Sequence, residues 1–130
     1  MVGLWLFPVE AAVEAATGLA LIIYPQAVSK LLLSADLAGA GIAVGRVAGI
    51  ALLALGLLCW VSRQHVDKTA TLAAMLTYNL LVTAYLLLLG LGGALVGILL
   101  WPAIAIHAVL TVLVASALFN APRPQQEGFG

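Results

Sequence analysis

Four apolar segments, at about residues 4–24, 39–61, 69–91 and 95–119, take up most of this 130-residue chain. Each is close to the roughly 20 mostly apolar residues that cross a bilayer as a helix. The chain is 65% hydrophobic and 8% charged, whereas a water-soluble domain carries about 25% charged residues. It has too little polar surface to cover itself in water. The expected fold is therefore all-α: a four-helix transmembrane bundle, with residues 1–120 forming one membrane domain in contact with the lipid bilayer.

Local signals set the boundaries. Pro25 closes the first span, because the residue before a proline is pushed out of the helical region. "SRQHVDK" (62–68) is a polar turn and "GLGGA" (90–94) a glycine turn. Both are short enough to make consecutive helices antiparallel neighbours. Pro102 removes one backbone hydrogen bond from the fourth apolar run, so that helix either begins near Leu100 or kinks there. "QAVSKLLLSADLAG" (26–39) is too short to span and reads as a brief amphipathic helix along the interface. "APRPQQEGFG" (121–130) has no core residues and is expected to be a disordered tail. No cleavable signal peptide is expected, since the N-terminus lacks a positive region and its apolar run carries two glutamates.

Lysine and arginine orient membrane helices. Arg63, Lys68 and Arg123 fall on the face that holds both termini, against Lys30 alone on the other. This three-to-one bias predicts both termini in the cytoplasm. Trp5 and Trp60 then lie near the cytoplasmic interface, and Tyr24 and Trp101 near the opposite one, as an aromatic belt.

Several chemistries drop out. The formal net charge is zero, which points to no nucleic-acid partner and no acidic substrate. Cys59 is the single cysteine, so neither an internal disulfide nor a Cys-x-x-Cys dithiol can form. His65 and His107, one of them in a polar turn, do not suggest a bis-histidine haem within one chain. No His, Cys or Asp cluster has metal-ligand spacing, and Ser29, Ser34, Ser62 and Ser116 have no recognisable histidine and acid partners. No catalytic residue and no metal ligand is singled out, and the cofactor is left open.

What remains is a set of polar residues inside the spans. "VEAAVEAATG" (9–18) places Glu10 and Glu14 four residues apart, hence on one helix face with Thr17 and Gly18. At 1.5 Å per residue, Glu14 falls at mid-membrane, as do Asn79, beside Tyr78, and His107; Arg46 falls somewhat to one side. A charge at the bilayer centre costs about 2.5–3.5 kcal/mol on insertion scales, so these groups should point inward. The expected arrangement is a midplane polar core of Glu10, Glu14, Arg46, Tyr78, Asn79 and His107, with Arg46 gripping one carboxylate. The other carboxylate is then either protonated or bonded to Tyr78, Asn79 or His107. Gly41, Gly45, Gly49 and Gly56 form a small-residue seam on the second helix, of the kind that lets backbones approach closely. The polar core can serve binding and proton handling, or simply fix helix register.

Two resemblances follow from these residues. The glutamate-bearing first helix followed by "YPQAVSKLLL" (24–33), then "GRVAGIALLALGLLCW" (45–60) and "YNLLVTAYL" (78–86), resembles the DoxX-like small membrane proteins, found mainly in bacteria. That resemblance implies a four-helix protein of the bacterial cytoplasmic (inner) membrane, in a family some of whose members are membrane subunits or partners of oxidoreductases. The role expected for the polar core is that of a non-catalytic subunit or binding protein, the core either organising the bundle or holding a small lipophilic, quinone-like molecule, with a membrane-protein partner or a second copy as neighbour. Glu14 is also similar in position to the proton-exchanging glutamate of the small multidrug resistance transporters. This implies the alternative of a proton-coupled small-solute transporter using Glu14. Arg46 and the missing aromatic pattern in the second helix depart from that family.

Overall fold

The computed structural model describes residues 2–120, with side chains from Trp5 onward. The expected disordered tail, 121–130, lies outside the described residues. Five helices follow in order: α1 (Val2–Ile23), α2 (Pro25–Leu33), α3 (Ala40–Ser62), α4 (Thr69–Gly92) and α5 (Leu100–Phe119). All but α2 are long and apolar enough to cross a membrane. The architecture is that of a multi-pass membrane protein.

Proline sets both ends of the first connection. Pro25 stops α1 at Ile23 and occupies the first turn of α2, where its missing N–H is not needed. Of the short helix expected over 26–39, the structure has α2, which covers only the first part. It stops at Ser34, which takes a left-handed conformation at φ 55°. Its last carbonyls do not face lipid unbonded. Gly97 N–H and Leu99 N–H, from the connection between α4 and α5, donate to Leu32 O at 3.0 Å and Leu31 O at 2.9 Å. Residues 95–99 therefore bond to α2 instead of extending the last span. Of the two readings of Pro102, the late start holds: α5 begins at Leu100, and the proline sits in its first turn.

The helices associate in two pairs. α1 and α3 meet backbone to backbone at glycines. A Cβ built on Gly49 would sit 2.6 Å from the Gly18 carbonyl oxygen, and one on Gly18 would sit 2.7 Å from that of Gly49. Gly56 rests against the backbone of Ala11 and Ala15. The seam thus uses Gly49 and Gly56, while Gly41 and Gly45 face Leu37 and Pro25. α4 and α5 form the second pair, packed through side chains. There are two apolar clusters, of which the first joins the pairs and the second ties α4 and α5 to α2. One, with Leu6, Phe7, Met75 and Val114, lies toward the end holding the start of α1. The other, with Leu86, Leu100 and Ile104 backed by Leu32 and Leu33 of α2, fills the opposite end. A polar layer separates them.

Candidate polar site between the helix pairs

Asn79 is the hub of that layer. It is fully buried on α4, and its Nδ2 lies 3.0 Å from Met75 O, one turn earlier. A backbone carbonyl can only accept, so this contact fixes which end of the amide is nitrogen. The second Nδ2 hydrogen is directed at Glu10 of α1, with Oε1 at 3.0 Å and Oε2 at 3.3 Å. Oδ1 is left facing Nδ1 of His107 on α5 at 2.8 Å. Because Oδ1 accepts, Nδ1 of His107 must carry the hydrogen, and a neutral His107 keeps its lone pair on Nε2. One side-chain amide therefore ties three helices together and sets a tautomer. Thr83 and Thr111 return their hydroxyls to the carbonyls of Asn79 and His107, each at 2.7 Å. Their position four residues on was the sequence signal for this support.

Glu14 stands one turn along α1 and is as deeply buried as Glu10, each 1% exposed. Neither of its carboxyl oxygens has a hydrogen-bond partner. Tyr78 of α4 is its polar neighbour, and the Tyr78 ring meets His107 edge to face at 5.7 Å. A carboxylate can accept about four hydrogen bonds; this one is sealed from lipid and left with none. Gly56 of α3 closes the site from behind, its missing Cβ leaving room for the Glu14 side chain at 3.4 Å.

The structure thus brings together Glu10, Glu14, Tyr78, Asn79 and His107. It does not bring Arg46. That residue is exposed on α3, and among the described residues the one ion pair is Lys30–Asp36 at the surface, 2.9 Å. The expected Arg46–glutamate pair is overturned by helix register. Gly56 is the α3 residue level with Glu14, and Arg46 lies ten residues away, roughly 15 Å along the axis at 1.5 Å per residue. Equal depth at the span centres requires unstaggered helices, whereas α3 is displaced along α1. Thr17 also leaves the expected stripe and is exposed, while Gly18 stays in it and is buried against α3. A further bond, Ser62 Oγ to Thr71 Oγ1 at 2.9 Å, ties the end of α3 to the start of α4.

No family model, characterised protein or solved structure matches this chain.

Proposed function

We propose that the chain is an integral membrane protein that holds a small lipophilic molecule with a hydrogen-bond-donating head, quinol-like, in the layer between Glu14, Tyr78 and His107. In this reading it is a binding subunit that partners a membrane oxidoreductase, lying in a bacterial inner membrane with both termini in the cytoplasm. The observation that carries the reading is Glu14, whose two buried oxygens have no partner. An unmet buried polar group costs about 1–3 kcal/mol, more when charged, so a resident donor is stabilised by whatever it restores. The site offers two acceptors without a donor, the Glu14 oxygens. A quinol presents two O–H donors on an apolar body, and Tyr78 can serve a carbonyl of the oxidised form.

The test is titration of a short-chain quinol into protein in lipid nanodiscs. Glu14→Gln keeps the shape and loses the charge-assisted bond, worth about 1.5–3 kcal/mol, so affinity should fall at least about tenfold. Equal binding by the variant would overturn the reading.

A proton-coupled transporter is the second reading, favoured by two neighbouring carboxyls with no cation bonded to either among the described residues. Proteoliposomes separate the two: a transporter moves protons with a solute gradient and loses the movement in Glu14→Gln, while a binding subunit moves none.

A further inference from the structure

A second feature lies on the outer face of the α1–α3 pair, away from the polar layer. An open groove of about 490 Å³ runs along it, walled by Ala11 and Ala15 of α1 and by Ile50, Gly56, Leu57 and Trp60 of α3. Small residues make it: at Ala11, Ala15 and Gly56 no side chain fills the space above the helix contact. The lining is apolar throughout, and the volume is within the roughly 300–1,000 Å³ of ligand sites.

Its length has a natural measure. Ile50 to Trp60 is ten residues, about 15 Å of helix, which is half of the roughly 30 Å hydrocarbon core. The groove is one leaflet deep. Ile50 is next to the middle of α3, and Trp60 is near its end, where an interfacial tryptophan belongs.

The mouth is not neutral. The Arg63 guanidinium lies over the Trp60 ring, 3.5 Å from its centroid, and Arg63 Nε donates to Trp60 O at 3.0 Å. These two contacts hold a cation at the interface end of an acyl-sized channel. Arg63 has no carboxylate bonded to it among the described residues, so most of its donors stay available at the level of lipid phosphates. Lys68 is turned to the Phe7 ring, its Nζ 5.4 Å from the centroid, and Phe7 is not part of the groove wall.

We infer that the groove between α1 and α3 holds an acyl chain of an anionic phospholipid whose phosphate is bound by Arg63 stacked on Trp60. The occupant is chosen by charge and depth together: a cation at the interface, then one leaflet of continuous apolar wall. This inference is independent of the ligand proposed for the Glu14 layer, which faces the other helix pair.

Trp60 itself reports the test. In a Trp5→Phe/Trp101→Phe background it is the sole tryptophan. The protein is placed in phosphatidylcholine vesicles doped with chain-brominated phosphatidylglycerol or, separately, chain-brominated phosphatidylcholine. Brominated phosphatidylglycerol should quench Trp60 about fivefold more effectively at equal fraction, the ratio matching roughly 1 kcal/mol per basic residue at a lipid surface. Arg63→Gln should bring the ratio to about one, and Ala54→Leu, on the exposed groove wall, should lower quenching by both lipids. Equal quenching of the parent by the two lipids would overturn the inference, as would a preference that survives Arg63→Gln. Absence of quenching by either lipid would also overturn it, by showing that a protein surface covers the groove.

Discussion

Helix α1 is held on its two sides by opposite means. Toward α3 it offers a glycine, and the two backbones touch with nothing between them. Toward α4 and α5 it offers Glu10, and the contact is made by side-chain hydrogen bonds through Asn79. In a bilayer the hydrophobic effect does not draw helices together, so packing and interhelical hydrogen bonds carry association. The seam uses the first and the junction uses the second. The seam depends on atoms being absent, and the junction on atoms being present. They should therefore fail differently.

The seam should fail hardest. Gly49→Leu places a branched side chain where a single Cβ already overlaps the Gly18 carbonyl and Ile22. The loss should exceed the 1–3 kcal/mol typical of core overpacking, and the variant should be largely unfolded in detergent by thermal melting. Gly45→Leu is the control. Its Cβ meets Pro25 at 3.0 Å and the flexible Leu37 side chain at 3.5 Å, so a clearly smaller loss is expected. Equal losses would mean that the backbone contact at Gly49 is not special.

The junction comes next. Asn79→Leu removes the hub and leaves Glu10 and Nδ1 of His107 without their partner, while the Met75 carbonyl keeps its bond within the helix. A loss of about 2–4 kcal/mol is expected, from a buried group left unmet at about 1–3 kcal/mol each with partial relief by rearrangement. Adding Glu10→Leu should cost less than the sum of the single changes, because groups in one network couple by about 0.5–3 kcal/mol. Strict additivity in reversible unfolding would mean that the two side chains do not depend on one another.

Glu14 tests where stability ends and function begins. Nothing is bonded to it, so Glu14→Leu removes a burden. Stability should rise by about 1–3 kcal/mol, while Glu10→Leu, which strips a partner from Asn79, should lower it. Two glutamates one turn apart would then change stability in opposite directions. If Glu14→Leu is destabilising, the carboxyl has a structural partner, and the case for a ligand there falls with it.

How far the sequence reaches follows from the same contrast. The apolar runs, the closing Pro25 and the polar turn at 62–68 announce themselves, because each is a local property of a few residues. The inward glutamates, Asn79 and His107 are legible as well, since burying polar groups in lipid leaves few alternatives. Register is not local. Which α3 residue lies level with Glu14 is decided by how Gly18, Gly49 and Gly56 nest, and no span-centre rule contains that. Arg46 therefore lies exposed and away from the carboxylates. The groove is not legible either, because its floor is made by small residues on two helices, Ala11, Ala15 and Gly56, visible only once the helices are set side by side.

The smallest effect expected is at the watery edge, where the same kind of bond as in the junction is exposed. Asp67 Oδ1 accepts from the Thr69 N–H at 2.9 Å at the start of α4. That bond first, and the Thr69 side chain second, hold the fully exposed Asp67 carboxyl below its usual range. A carboxylate lowered on folding adds stability that is fully present above its unfolded value, about 3.9, and is lost as pH falls through the folded value below that. Wild type should therefore melt slightly above Asp67→Ala at neutral pH, and the two curves should converge in acid. The gap should stay well under that of Asn79→Leu, because water competes for the Thr69 N–H and has no access to Asn79. A gap as large as the Asn79 loss, or one that persists unchanged in acid, would show that burial is not what separates the junction from the edge.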